Sequence, residues 1–227
     1  MATEASLESL LHRGLLWRGS GRERAAGRML PSGFRELDAA TGGGWPSGAL
    51  VELVSPGGQG LSLLVPLLAR TSTPLSDGSG ARCEFTTCSE VPLGREPRWL
   101  AWVDPPWHPH VPALAARGVA VSRILQVRTA GGAEGLWAAE QLLRSGNCAV
   151  VMLWPGRLGT ARLRRLQLAA EEGDGLGVLF RPPEAAAAPS PAALRLRLGS
   201  HGEKLAVEVL KRRGGWNGGR VEVPCTG

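Results

Sequence analysis

A six-residue apolar run, Ala49-Leu-Val-Glu-Leu-Val54, leads into the turn Gly57-Gly58-Gln59-Gly60 and then into an apolar helical pattern from Leu61 to Ala69. The first segment has the length and β-branched content of a buried strand, so the order is strand, glycine loop, helix. Such an order can hold phosphate, because glycines let successive backbone N–H groups turn toward an anion seated on the helix N-terminus. The working loop reads G-x-x-x-x-G-K-[ST], in which the lysine neutralises the phosphates and the hydroxyl holds Mg²⁺. Here the corresponding positions run from Ser55 to Ser62, with Gly60 and Ser62 in pattern, Ser55 in place of the first glycine and Leu61 in place of the lysine. Gly57, Gly58, Gly60 and Ser62 are therefore the candidate nucleotide-binding residues of a degenerate loop. An apolar side chain at the phosphate supplies none of the charge that phosphoryl transfer needs, so ATP with Mg²⁺, if held, is not expected to turn over efficiently.

Upstream, Ser32-Gly33-Phe34-Arg-Glu-Leu37-Asp38 and Gly42-Gly43-Gly44-Trp45-Pro46-Ser47-Gly48 precede the strand. Together these segments resemble the start of the RecA/RadA recombinase core. Downstream, Trp102-Val103-Asp104-Pro105-Pro106 stands where that core ends a strand in Asp-x-Glu, which puts Pro106 at the position of the glutamate that activates water. Ala149 to Leu153 followed by Trp154 matches the second Mg²⁺ strand, with Trp154 at its aspartate, and Pro182 stands at the glutamine that senses ATP. The two DNA-gripping loops of the recombinases shrink here to Pro155–Gly159 and to Pro182–Pro191.

Within that superfamily the chain resembles the ImuA proteins, SulA/RecA-like components of bacterial damage-induced mutagenesis cassettes. The carrying segments are Leu16 to Gly19, Gly43 to Gly48, Leu136 to Gly146, Arg164 to Glu172, Pro189 to Leu196 and Leu210 to Gly214. The resemblance implies a non-catalytic RecA-like adaptor of SOS-induced, error-prone translesion synthesis. Its implied partners are ImuB, RecA and, indirectly, an error-prone replicative-type polymerase subunit. It also implies that Lys211 and Arg213, flanking Arg212, stand where recombinases reach across to a neighbouring subunit's ATP. Such a subunit could cap a RecA filament. Two further readings stand beside this one. A DNA-binding RecA-like ATPase would use Arg162, Arg164 and Arg165 on single- or double-stranded DNA. A SulA-like cell-division inhibitor would bind the tubulin-like division protein.

Composition narrows less. At 227 residues the chain fits one domain with a sizeable core. Nothing approaches the apolar length of a membrane span and no compact signal-peptide core opens the sequence, so a cytoplasmic protein without membrane contact is expected. Cys83, Cys88, Cys148 and Cys225 make no disulfide framework in such a chain, and Cys83 and Cys88 with His108 and His110 match no standard zinc spacing. The net charge is +6, carried almost wholly by arginine, which suits nucleic acid or an acidic protein but also follows from a GC-rich coding bias.

The expected fold is α/β, a RecA-like P-loop NTPase core with a mostly parallel sheet flanked by helices and a C-terminal antiparallel hairpin. Residues 1–28 read as an N-terminal helix and linker arm, with Leu7, Leu10 and Leu11 at helical spacing and Trp17 behind them. Residues 29–213 read as the core and 214–227 as a flexible tail with Trp216 as a possible partner anchor. Ser32 is placed to cap a short helix through Asp38, and Pro66 falls in the first turns of the next. Residues 73–97 read as a surface loop. The remaining strands are placed at Arg98–Val103, Ser122–Val127, Cys148–Leu153 and Gly177–Arg181. A hairpin at the sheet edge is built from Leu194–Leu198 and Ala206–Leu210. Helices are placed at Val111–Arg117, along Leu136, Ala139 and Leu143, and at Thr160–Glu172. His108 and His110 read as loop residues.

Overall fold

The structure is a computed structural model, described here for residues 28–73, 98–202, 204–214 and 219–224. The proposed N-terminal arm, the loop before Arg98, Cys83, Cys88, Cys225 and Trp216 lie outside these residues.

The chain begins with strand β1 (Met29–Leu30), helix α1 (Arg35–Thr41) and strand β2 (Trp45–Pro46), which pairs antiparallel with β1. Then come β3 (Ala49–Val54), α2 (Leu61–Ser72), β4 (Trp99–Val103), α3 (Val111–Ala116) and β5 (Ile124–Val127). Helix α4 (Ala133–Arg144), β6 (Cys148–Leu153), α5 (Thr160–Gly173) and β7 (Leu176–Arg181) follow. Strands β8 (Leu194–His201), β9 (Lys204–Arg212) and β10 (Arg220–Pro224) close the fold.

The main sheet has the order β10-β9-β8-β3-β7-β6-β4-β5. From β8 to β5 all neighbours run parallel, while β9 and β10 add an antiparallel wing. Every residue of β3, β6 and β7 is buried, as expected of parallel strands covered on both faces. One face packs Val51, Leu53, Val150, Met152 and Phe180 with Leu37 of α1 and Leu63, Leu64, Leu67 and Leu68 of α2. The other packs Leu50, Val151, Leu153 and Leu179 with Ala139 and Leu143 of α4 and Leu163, Leu166 and Ala170 of α5. The α/β class and the mostly parallel sheet thus follow the sequence expectation.

Several local expectations are corrected. Ser32 does not cap α1, whose N-cap is Phe34; the Ser32 hydroxyl instead accepts from Phe34 N at 3.1 Å while Ser32 N donates to Asp38 Oδ1 at 2.8 Å. The helix starts at Leu61 as expected, but Pro66 is buried against Gly33 past its first turn, where a missing N–H removes a bond from the ladder. The third strand is shorter than expected, since Val121–Arg123 forms a 3₁₀ turn. The hairpin is not the sheet edge: β10, inside the stretch read as a tail, pairs along β9 and takes that place.

Candidate functional site

The glycine loop leaves β3 through a 3₁₀ turn at Pro56–Gly58, and Gly57, Gly58 and Gly60 take φ of 62°, 69° and 118°, the left-handed region that glycine adopts without strain. Ser55 closes the loop where a first glycine would leave it open: its hydroxyl donates to Gln59 O at 2.8 Å and its N–H donates to Arg181 O at 3.0 Å. The loop is then covered by aromatic rings. Trp154 lies so close to Gly58 that a Cβ there would come within 2.9 Å of its Cδ1, and Trp107 is next at 3.5 Å. Trp154 stacks on Phe180 with centroids 4.5 Å apart and rings 2° from parallel, and Trp107 meets it edge-on at 5.9 Å. Gly60 is held against Leu198 of β8. Ser62 is half-buried in the first turn of α2. Sequence reasoning marked Trp154 only as a missing aspartate; the ring stack it builds with Phe180 and Trp107 joins three strand ends and has no local signature.

Asp104, at the end of β4, has φ 48° and accepts from Thr129 N and Thr129 Oγ1, both at 2.7 Å. Its carboxylate is thereby committed to the crossover behind β5. His108 is exposed, while His110 caps α3, its Nδ1 accepting from Ala113 N at 3.3 Å.

The basic triplet at the end of β9, Lys211 and Arg212 within the strand and Arg213 just past it, is split three ways. Lys211 Nζ donates to Ser190 O at 2.7 Å, and burial, followed by the Arg195 charge, lowers its pKa from the ordinary 10.5. Arg212 reaches Ala40 O at 3.5 Å, and exposed Arg213 pairs with Glu171 at 3.5 Å. Lys211 belongs to a buried cluster that the sequence did not announce. At its centre is Glu52 of β3, 1% exposed. Arg195 Nε donates to it at 2.6 Å, Ser190 Oγ at 3.0 Å and Arg181 Nη1 at 3.5 Å. Arg195 also donates to Ala185 O at 2.6 Å. Burial lowers the pKa of Arg181 against the raising effect of Glu52.

The α5 arginines form a surface with α4. Arg165 Nη2 pairs with Glu140 Oε2 at 2.7 Å, and Arg144 reaches the same carboxylate at 3.3 Å and Glu172 at 2.8 Å. Arg162 and Arg164 have no ion-pair partner among the described residues. Between the helices runs a groove of about 320 Å³ walled by Leu136, Trp137, Leu166, Arg162 and Arg165, with Glu140 in its floor. No helix of the described residues is long and apolar enough to cross a membrane.

Against known proteins, the family model for the cell division inhibitor SulA matches residues 90–177, the stretch from β4 into β7. The cell division inhibitor SulA of Edwardsiella piscicida is 42% identical over 103 residues, covering 44% of this chain and 61% of that protein. SulA of Photorhabdus laumondii is 34% identical over 102 residues, covering 45% of this chain and 58% of that protein. The chain thus spans about three fifths of the length of these relatives. Among solved structures, the RadB recombinase superposes with a TM-score of 0.63 at 15% identity, covering 87% of this chain and 96% of its own, which establishes the recombinase-like fold. These matches correct the sequence reading. The expected role in error-prone translesion synthesis, with its DNA-repair and mutagenesis setting, is overturned by relatives named as cell-division inhibitors.

Proposed function

We propose that this chain is a SulA-like, non-catalytic inhibitor of cell division that acts in the cytoplasm by binding the tubulin-like division protein. The observation that carries the reading is the 42% identity over 103 residues to a protein named cell division inhibitor SulA. The SOS setting expected from the sequence is common to this reading and the one it replaces. The loop supports a binding role over catalysis: Leu61, Pro106 and Trp154 occupy the three positions that an ATPase fills with lysine, glutamate and aspartate, and rings of Trp154 and Trp107 lie on Gly58.

The segment matched to SulA contains β5, the strand at one edge of the main sheet, and the surface around it can serve as a contact surface. Beside β5, Trp99, Val121 and Leu125 are 39%, 36% and 36% exposed, and the Arg123 guanidinium stands 5.6 Å from the Trp99 ring centroid. Apolar side chains flanked by a cation are the composition of a protein-docking patch.

The test is production of the chain in a rod-shaped bacterium, paired with a pelleting assay of the purified division protein polymerised with GTP. The reading requires long undivided cells with segregated nucleoids and a stoichiometric drop in pelleted polymer. Normal division with the chain present at full level, together with unchanged pelleting, overturns it. The same preparation is expected to show neither binding heat nor phosphate release with Mg·ATP; turnover abolished by Gly60→Ala would put the enzyme reading first.

A further inference from the structure

The α4–α5 face presents the two most exposed large apolar side chains among the described residues, Trp137 at 63% and Leu168 at 60%. Trp137 walls the groove with Leu136 and Leu166, while Leu168 stands on the outward side of α5, one turn after Arg164. This face shares no residue with the patch beside β5 and owes nothing to the division-protein reading. We propose that the groove docks an acidic amphipathic helix of a partner protein.

The sign of the occupant follows from which charges are already spent. Every acid on the two helices is engaged. Glu134 accepts from Ala130 N at 3.1 Å, and Glu140 is held by Arg165 at 2.7 Å and by Arg144 at 3.3 Å. Glu172 is held by Arg144 at 2.8 Å, and Glu171 by Gln167 at 3.1 Å and Arg213 at 3.5 Å. Arg144 and Arg165 are consumed in the same pairs. That leaves Arg162 and Arg164 without an ion-pair partner among the described residues, so the unspent charge of the face is wholly positive. Arg162, moreover, lies in the first turn of α5, where there is no acidic residue and no side-chain cap from Gly159. A cation at an uncapped N-terminus opposes the helix dipole, and a carboxylate brought to it offsets both. A second copy of this face has no free carboxylate to offer, so like charge would meet like.

Shape selects a helix. The groove runs between neighbouring helices packed on the sheet, with Ala139 and Leu143 of α4 and Leu166 and Ala170 of α5 buried beneath them. A cleft between two packed helices takes the side-chain ridge of a third. Its lining on α4 extends from Ala133 to Glu140, a rise of about 10 Å or two turns, so leucines at i, i+3, i+4 and i+7 of an incoming helix fill it. Trp137 supplies the large, rigid contact area that anchors such interfaces. Carboxylates on the flank of the same helix then meet Arg162 at the groove and Arg164 outside it.

The test uses the full chain and a fluorescein-labelled designed helix with leucines at those four positions and glutamates on both flanks, followed by fluorescence anisotropy. A second peptide carries lysine in place of every glutamate. Saturable binding of the glutamate peptide alone is expected. Trp137→Ala should weaken it about thirtyfold, the loss typical of a central tryptophan. Arg162→Glu with Arg164→Glu, at exposed positions that support no other described contact, should reject the glutamate peptide and accept the lysine one. Melting curves of both variants are expected to match the parent. The proposal is overturned if the two peptides bind alike, or if neither variant changes binding. It is equally overturned if the full chain shows no saturable binding, whether because another part of the chain already covers the groove or because nothing does. Sedimentation showing a dimer that Trp137→Ala dissociates would make the occupant a second copy and overturn it too.

Discussion

Glu52 is the polar interruption in an otherwise apolar strand, and it answers for two buried guanidiniums at once. Removing its charge strands both cations in the core. Glu52→Gln is expected to cost about 3–5 kcal/mol of unfolding free energy in urea titration. Arg197→Ala, which breaks only the exposed pair with Glu208, should cost less than about 1 kcal/mol. The partners Arg181 and Arg195 lie 129 and 143 positions from Glu52, so no local pattern in the sequence could have paired them. Cys148, at the start of β6, gives a second test. Burial pushes its thiol from 9.0 up to about 11, against the opposing charge of Arg98. Above pH 9.0 the unfolded thiol loses its proton while the folded one keeps it until about 11, so the contribution is intact below pH 9.0 and is lost as pH rises through the folded value. Cys148→Ala should therefore remove an alkaline loss of stability on the order of 2 kcal/mol, read from thermal melts across that range.

At the scale of elements, the long apolar stretches were legible and the marginal ones were not. The bounds expected for β3 and β6 match the structure, because a fully buried parallel strand leaves an unbroken apolar run. Strand β10 was missed because its alternation, Val221 and Val223 among Arg220, Glu222 and Pro224, lies in glycine-rich sequence and gains strand structure only by pairing with β9. Val223 is nonetheless fully buried, and His201 and Lys204 both bond Glu222, at 2.7 and 3.4 Å. Truncation after Gly214 should thus lower stability by about 2–4 kcal/mol from lost apolar burial and ladder hydrogen bonds, whereas a dispensable tail would leave the melting temperature unchanged. The N-cap of α1 was misread for a related reason. Ser32 has the right side chain and the right spacing, but its hydroxyl is taken by a local turn with Phe34 before the helix begins.

For the whole molecule, the fold class was legible because alternating apolar strands and amphipathic helices admit few arrangements. The function was less so. Segments such as Leu136 to Gly146 and Arg164 to Glu172 carried the resemblance to a mutagenesis adaptor, yet they overlap the stretch that matches the cell-division inhibitor. Those residues build the packed α4–α5 side of the core, with Ala139, Leu143, Leu166 and Ala170 buried, so their likeness speaks for shared architecture more than shared partners. What distinguishes partners is exposed side chains such as Trp99 and Leu125, which no periodicity singles out. The sheet order also governs how such a chain comes to be folded. Strand β3 is near the start of the chain, but its neighbours are β7 and β8, so neither edge of β3 can be satisfied until Leu176 and Leu194 have left the ribosome. At about 5–20 residues per second, an unbroken apolar strand stays unpaired for several seconds of synthesis, a window in which aggregation competes with folding. Nascent chains of this protein are consequently natural clients for chaperones, and its yield in the cell is set as much by the order of translation as by the final free energy.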